Sequence, residues 1–492
     1  MNILKKIFPS LLIFSQFYFL FAVNYSEDIS SIIYNNCSSC HRPGEIGSFL
    51  PLTNYQEVYS NRDWIAYAIS SEDNSRHGNP IMPPWPPDMD YSTLLNERYL
   101  EQDDIDIFME WIIQGGIQGD PSNEASFPEF PDDSQIGTPD IILEMEEDFQ
   151  VEGNFEDSFR CFVFETGYTE EMYFTAMEVR PGNNQAVHHA VIVAAPPGSA
   201  DNLEDIDDEY GYDCFGGFGP ITTTDLLGGF APGTSPIKWG NGLAQSIPAG
   251  WDIIVQMHYA PVNEDMQDRS KVNIFLYEGE PERVIESFTM IDPTFMLPPN
   301  QITEVYNSLY VSTDVSVVSF FPHSHLIGKS WEVYATSPPI FAENDTIPII
   351  RINEWDFDWQ NFYYPEYMLH IPEGYTIHAH AVYDNTSNNP DNPNDPPQYV
   401  FWGDGTTDEM FFLPISYVPY QDGDENIYLG SDMLFGDVNL DGSVDVLDVV
   451  VLVNYILGNI SFDENQIIIS DTNQDGSLDV MDIVILVGSI LD

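Results

Sequence analysis

Phe321-Pro322-His323-Ser324-His325-Leu326-Ile327-Gly328 is a stretch in which two histidines stand two positions apart. Side chains alternate between the two faces of a β-strand, so His323 and His325 share one face. Their imidazoles can therefore converge on one metal ion. The chain has only ten histidines, and three more occur in the pair His188-His189 and at His258, in Gln-Met-His-Tyr.

A methionine, Met410, ends the run Gly405-Thr406-Thr407-Asp408-Glu409-Met410. Imidazoles with one thioether and no carboxylate favour copper over zinc, magnesium or calcium. The candidate copper ligands are therefore His188, His189, His258, His323, His325 and Met410. A lone strand histidine is more often structural, which suits His370. The pair His378 and His380 alone is weak evidence for a third metal site.

The composition indicates a folded, well-solvated protein. At 492 residues the chain should hold about three domains, and 43% hydrophobic and 14% aromatic residues suffice for packed cores. Fourteen Lys and Arg against 80 Asp and Glu give a formal net charge of −66. Because phosphate neutralisation needs clustered cations, nucleic acid is excluded as an expected partner.

The N-terminus has the pattern of an export signal. Lys5-Lys6 precede an apolar stretch from Leu11 to Val23, and Ala22 is a small residue near a plausible cleavage point. We expect a signal peptide at 1–23, with an uncleaved anchor as the alternative. The mature protein should have no transmembrane segment and be periplasmic, cell-surface or extracellular.

Cys37-Ser38-Ser39-Cys40-His41 has the C-x-x-C-H pattern of covalent haem attachment. Cys37 and Cys40, one helical turn apart, can meet the two vinyl groups, and His41 can reach the iron. The sixth ligand should be soft and lie downstream, which favours Met82 over His77 and Met89. A zinc half-site is the alternative reading.

A helical stripe follows this motif, with acidic residues in its first turn and Gly115-Gly116 at its end. The apolar residues of the stripe are Ile105, Phe108, Trp111 and Ile112. Residues 25–120 are thus similar to a small all-α c-type cytochrome domain. Residues 121–138, rich in Pro, Ser, Asn, Asp and Glu, read as a linker.

From Pro139 to about Pro419, short apolar and aromatic runs alternate with Gly, Pro and Asn. The runs include 161–164, 191–193, 253–255, 317–320 and 377–382. Short, closely spaced strands imply antiparallel β-sandwiches, and the length suits two in tandem. Cys161 and Cys214 lie in this part and are expected to form a disulfide in an exported protein.

The order His-His, Gln-x-His-Tyr, His-x-His-x-x-Gly, Asp-Glu-Met resembles the copper type II, ascorbate-dependent monooxygenases. This family includes peptidylglycine α-hydroxylating monooxygenase and dopamine β-monooxygenase. The resemblance covers about 280 residues, 139–419. It implies two jelly-roll sandwiches, 139–280 and 281–420, each holding one copper across an open, solvent-filled cleft. Matched by motif, His188, His189 and His258 would hold the electron-transfer copper. His323, His325 and Met410 would hold the oxygen-activating copper and form the catalytic centre.

The resemblance further implies hydroxylation of a substrate C–H bond with dioxygen and a reduced donor such as ascorbate or a redox protein. A fused cytochrome raises the effective concentration of donor, so we expect the haem to feed the first copper. Phe321 stands where the peptide-hydroxylating enzyme has an arginine, and Phe412 and Pro414 replace an asparagine and a tyrosine. A less polar small molecule than a peptidyl-glycine is therefore expected as substrate.

Two other readings compete with the monooxygenase. One is a copper-binding or electron-transfer protein, anchored at the cell surface, that hydroxylates nothing. The other is an adhesion protein whose metal sites are structural.

The C-terminus repeats a calcium loop with a period of 34 residues: 437–448 recurs as 471–482. In such loops oxygens at alternate positions converge on the ion and a glycine makes the sharp turn. The predicted ligands of two calcium ions are Asp437, Asn439, Asp441, Ser443 and Asp448, then Asp471, Asn473, Asp475, Ser477 and Asp482.

Each calcium loop runs into one apolar helix, 449–457 and then 483–491. An EF-hand would carry Glu where Asp448 and Asp482 stand. Residues 434–492 therefore resemble a type I dockerin, which implies a cohesin-like receptor. A calcium-stabilised tail used for retention at the cell surface is the alternative.

Overall fold

A computed structural model of the chain describes most of its residues. They are 22–70, 81–128, 130, 134–206, 209–215, 217–221, 224–232, 236, 238–240, 242–277, 279–338, 345–403, 405–430, 436, 438–439, 444, 446–458, 460, 462, 464–472 and 477–491. His77 and most of the expected signal peptide lie outside these residues. No helix within them combines the length and the hydrophobicity needed to cross a bilayer. The protein is multidomain and mostly β, with helices at both ends.

The N-terminal part is helical. Its elements are a π-helical turn (Tyr25–Ile29), α1 (Ser30–Asn36), α2 (Tyr55–Ser70) and α3 (Gln102–Ile113). Phe108 and Trp111 of the predicted stripe are buried against α1 and α2. Gly115, at a φ of +95°, lets the chain reverse after α3, and the Gly116 N–H donates to Trp111 O at 2.9 Å. The helix thus ends where the Gly-Gly pair predicts.

Twelve strands form the first β domain. They are β1 (Ile141–Glu144), β2 (Phe149–Val151), β3 (Ser158–Phe164), β4 (Met172–Arg180), β5 (Val187–Ala195), β6 (Tyr212–Asp213), β7 (Asp225–Phe230), β8 (Leu243–Ile247), β9 (Asp252–Tyr259), β10 (Met266–Asp268), β11 (Lys271–Leu276) and β12 (Arg283–Val284), with a short α4 (Asp201–Glu204). Two five-stranded sheets, β1-β11-β4-β8-β12 and β6-β3-β9-β5-β7, share one core. Only β12, which follows the expected boundary at 280, pairs in parallel, with β8.

Ten strands form the second β domain. They are β13 (Glu286–Ile291), β14 (Met296–Leu297), β15 (Gln301–Tyr310), β16 (Val315–Phe320), β17 (Gly328–Thr336), β18 (Thr346–Ile352), β19 (Leu369–Ile371), β20 (Thr376–Asn385), β21 (Val400–Phe401) and β22 (Phe412–Pro419). Two four-stranded sheets, β13-β22-β16-β19 and β15-β20-β17-β18, enclose the core. All of their pairings are antiparallel, which confirms the predicted antiparallel architecture.

The segment after Met82 docks the N-terminal helices on the second β domain. Trp85 is buried in that domain's core, its ring centroid 5.6 Å from that of Tyr363. Arg351 Nη2 donates to Asp88 Oδ2 at 2.7 Å. The stretch from Trp85 to Leu95, expected within the cytochrome domain, thus packs as part of its neighbour.

Three helices form the C-terminal part: α5 (Val446–Ile456), α6 (Glu464–Ser470) and α7 (Val480–Leu491). Both α5 and α7 begin three residues before the predicted starts. Asp448 and Asp482 therefore lie in the first turns of these helices, where both are buried. Asn439 N–H donates to Asp448 at 2.9 Å, and Asp479 N–H to Asp482 at 2.8 Å. Of the other predicted calcium ligands, Asp437, Asp441, Ser443, Asn473 and Asp475 lie outside the described residues.

Candidate metal centre

The first histidine group consists of His188, His189 and His258, on the adjacent strands β5 and β9. His189 pairs in register with His258, and the register shifts between Val187 and His189. This bulge places an extra residue, His188, in the strand. It explains how two consecutive residues can point to one site despite strand alternation.

The three imidazoles converge. His189 Nδ1 lies 3.2 Å from His188 Nδ1 and 3.2 Å from His258 Nδ1. A tetrahedral metal with bonds of about 2.0 Å separates its nitrogen ligands by about 3.3 Å, so the spacing fits one ion. The buried Nε2 atom of His188 has no hydrogen-bond partner. The first histidine group therefore fits a metal site.

A carboxylate that the sequence did not single out orients His258. His258 Nε2 lies 2.7 Å from Asp157 Oδ1, and Thr406 Oγ1 donates to the same oxygen at 2.6 Å. The His258 ring stacks on Phe159, with centroids 4.2 Å apart. Because Asp157 engages Nε2, the nitrogen that remains to bind a metal is Nδ1.

The second histidine group consists of His323 and His325, with Met410. His323 forms a β-bridge with Phe412, its N–H donating to Phe412 O at 2.9 Å. Its Nδ1 contacts Gln360 Oε1. His325 Nδ1 lies 3.2 Å from Asp408 O. These contacts occupy the Nδ1 atoms and leave the Nε2 atoms for a metal.

Glu409 holds the loop that carries Met410. Its fully buried carboxylate accepts the backbone N–H of His325 and, at 2.8 Å, that of Met410. Burial raises the pKa of Glu409 to about 8, although these backbone donors oppose the shift. Glu409 thus orders the loop that carries Met410 through hydrogen bonds to two backbone N–H groups.

The two histidine groups lie side by side. The ring centroids of His189 and His323 are only 6.0 Å apart, so the open cleft implied by the family resemblance does not separate them. Phe357 of the second β domain stacks on His188 at 4.7 Å. This stacking and the Asp157–Thr406 hydrogen bond join the two domains beside both groups.

Burial keeps four of the imidazoles, those of His188, His189, His323 and His325, neutral. It lowers the pKa of His188 to about 3 and that of His323 to about 4. The pKa values of His189 and His325 fall well below the usual value, again first because of burial and then because of neighbouring histidines. Neutral imidazole is the form that binds metals.

A cavity of about 280 Å³, here called the histidine cavity, opens beside both groups. Its lining includes His188, His189, His323, His325 and Met410. Most of the remaining wall is apolar and includes Phe230, Phe321, Phe357, Phe362, Phe412 and Pro414. The Phe321 and Phe362 rings stack at 4.5 Å. The three residues that depart from the family pattern thus face this space.

A second cavity, here called the N-terminal cavity, has a volume of about 660 Å³. Its lining includes Cys37, Cys40, His41 and Met82, with Met89 absent from the wall. The volume lies within the range of about 300–1,000 Å³ typical of ligand pockets. His41 Nδ1 lies 3.0 Å from Leu50 O, which leaves Nε2 for an iron ion. A Cβ atom on Gly47 would lie 2.8 Å from His41 Nδ1, so glycine makes room for that ring. These residues fit a haem.

The remaining cysteines and histidines among the described residues have structural partners. Cys161 and Cys214 form the predicted disulfide, with Cα atoms 5.7 Å apart. His370 lies 3.2 Å from Asp314 Oδ1 and His378 Nε2 lies 2.9 Å from Thr336 Oγ1. His380 stacks on Tyr306, the centroids 4.0 Å apart.

One segment between β18 and β19 contacts both histidine groups and lines the N-terminal cavity. This bridging segment, Trp355–Tyr363, brings Phe357 to His188, Gln360 to His323, and Trp359 to the wall of the N-terminal cavity. No motif marks it, because its histidine partners lie 32 or more residues away along the chain.

Residues 435–491 match the type I dockerin domain family, which confirms the predicted calcium-binding module at this end. No curated protein matches the chain. Similar solved structures include the infectious bursal disease virus VP2 subviral particle, 11% identical, covering 62% of this chain and 80% of that chain, with a TM-score of 0.17. The cowpea mosaic virus top component, a naturally occurring empty particle, is 9% identical. The match covers 60% of this chain and 96% of that chain, with a TM-score of 0.23. At such low TM-scores these similarities support no conclusion about the fold or function of this chain.

Proposed function

We propose that the chain is an exported, copper-dependent monooxygenase that hydroxylates a C–H bond of an apolar small molecule. The observation that carries the proposal is the shared histidine cavity, where four histidines of the two groups and Met410 meet an aromatic wall. Bound copper would supply one-electron redox chemistry and dioxygen activation. His188, His189 and His258 would hold one ion, and His323, His325 and Met410 the other.

The chain's own residues contribute orientation and exclusion of water. Asp157 and Gln360 fix the rings of His258 and His323. The aromatic wall would hold an apolar substrate against the second histidine group and keep bulk water out. The Met410 thioether, held by the Glu409 contact to its N–H, would favour the cuprous state.

The N-terminal cavity supports a covalently bound haem as the electron source. Cys37 and Cys40 would form the thioether bonds, and His41 and Met82 would be the residues that bind the iron. An external donor such as ascorbate or a redox protein would reduce the haem. The dockerin domain would bind two calcium ions and dock the enzyme on a cohesin-like receptor outside the cell.

The test uses haem- and copper-loaded protein, isotopically labelled dioxygen and a panel of apolar small molecules. We expect a product carrying one labelled oxygen atom, lost in Met410→Ala and retained in Met296→Ala, a control at an exposed methionine of β14. If dioxygen is never incorporated while both metals are bound, the electron-transfer reading replaces the monooxygenase.

A further inference from the structure

The bridging segment makes a packed link between the N-terminal cavity and the histidines. Trp359 lines the N-terminal cavity together with Met82 and His41. The next residue, Gln360, is buried, and its Oε1 contacts His323 Nδ1. Two consecutive residues thus touch the haem-binding space on one side and a copper ligand on the other.

Packing holds this segment in place. Gln360 Nε2 donates to Phe357 O at 2.9 Å, which orients its oxygen toward His323. Tyr363 exchanges two backbone hydrogen bonds with Phe320, each 2.9 Å long, and packs on Trp85. Because Trp85 is three residues beyond Met82, the same anchor fixes the position of the candidate iron ligand.

Near the first histidine group, the region of the haem motif meets the first β domain through other residues. Asn184 Nδ2 donates to Gly44 O at 2.9 Å, but this contact is exposed and four residues before His188. A cavity of about 200 Å³, with Cys40 and Val187 in its wall, lies between the haem motif and β5. Within the bridging segment, the residue next to Trp359 contacts the second group directly through Gln360 Oε1 and His323 Nδ1, whereas the first group is reached by the stacking of Phe357, two residues before Trp359, on His188.

We propose that Trp359 and Gln360 couple the haem to the copper of the second histidine group, whereas the fusion of a cytochrome to the chain led us to expect the first copper as the acceptor. In this step a ferrous haem iron becomes ferric and one cupric ion becomes cuprous. One electron moves, and no proton or substrate bond is involved. The inference rests on the haem and copper of the proposed function. Trp359 and Gln360 are positioning residues.

The experiment follows single-turnover haem oxidation without dioxygen or substrate. Haem and copper contents are measured first for every variant of the full chain. The haem is then reduced, cupric ion is added, and haem absorbance and the copper EPR signal are recorded. We expect His258→Ala to keep fast haem oxidation and His325→Ala to lose it. The reverse pattern would overturn the proposal and assign the first histidine group as acceptor.

Variants of the bridging segment provide the second part of this experiment. Trp359→Phe should slow haem oxidation at unchanged copper content, and Trp355→Phe, a matched change outside both cavities, should leave it as in the native protein. Gln360→Leu should also weaken copper binding by the second histidine group about 10–100-fold. Rates equal to the native rate in both Trp359→Phe and Gln360→Leu would overturn the inference alone. A chain that binds no haem or no copper would overturn the proposed function as well.

Discussion

Replacing Asp157 should weaken copper binding by the first histidine group while leaving the second group intact. The Asp157 carboxylate touches no metal position itself but fixes the His258 ring through a contact of 2.7 Å. Loss of such a partner costs about 10–100-fold in metal affinity, or about 1.4–2.7 kcal/mol. We expect Asp157→Ala to fall at the upper end of this range. Asp157→Asn keeps an acceptor oxygen and loses only the charge, so it should fall at the lower end.

Competition titration with a chromophoric copper chelator measures this change. Thr406→Val removes one hydroxyl hydrogen bond to the same charged oxygen but leaves the contact between Asp157 and His258 in place, so it should weaken copper binding less than Asp157→Ala does. Glu156→Gln, which alters the exposed carboxylate next in sequence, serves as the matched control. Native copper affinity in Asp157→Ala would refute the role assigned to this carboxylate.

Three further predictions concern pH, the haem motif and the disulfide. Burial lowers the pKa of His188 to about 3 and that of His323 to about 4, so the metal-free protein should lose stability as pH falls below about 6.5. The loss should reach about 1.4 kcal/mol per pH unit for each histidine, because the unfolded chain binds more protons than the folded one. A thermal unfolding temperature that does not change as pH falls below about 6.5 would contradict this prediction. Gly47→Ala should displace the His41 ring and change the haem spectrum at equal haem content, whereas Gly488→Ala, with nothing within 4 Å of the added carbon, should not. Replacing both Cys161 and Cys214 with alanine opens a loop spanning 53 residues and should lower the free energy of unfolding by about 4 kcal/mol, as measured by urea denaturation.

Local patterns in the sequence predict much of this architecture. Short apolar runs mark β5, β9 and β20, and the C-x-x-C-H motif marks a wall of the N-terminal cavity. The calcium-loop spacing identifies the dockerin domain. These features depend on residues close together in the chain, so their spacing alone carries the information.

Contacts between distant segments are not predictable in this way. His188 faces the site because of a bulge that shifts the register of β5, and no residue type announces that bulge. Asp157 and Thr406 meet across two domains, 249 residues apart. The bridging segment likewise acquires its role only when Trp85 and Tyr363 pack together.

The close approach of the two histidine groups, where the family resemblance implies an open cleft, also depends on contacts between distant segments. The family motifs identify the histidines but carry no information on how the two β domains are held together. Phe357 packs on His188, and this contact between domains brings the second histidine group beside the first. Proximity of the two groups is therefore a property of this chain's own interdomain contacts.

The copper content of purified, haem-loaded protein, compared with that of His258→Ala and Met410→Ala, tests the two-copper centre most directly. We expect two copper ions per haem in the native chain, with one site weakened by each substitution. One copper ion or none per haem in the native chain would contradict the monooxygenase and leave a cytochrome joined to a binding module.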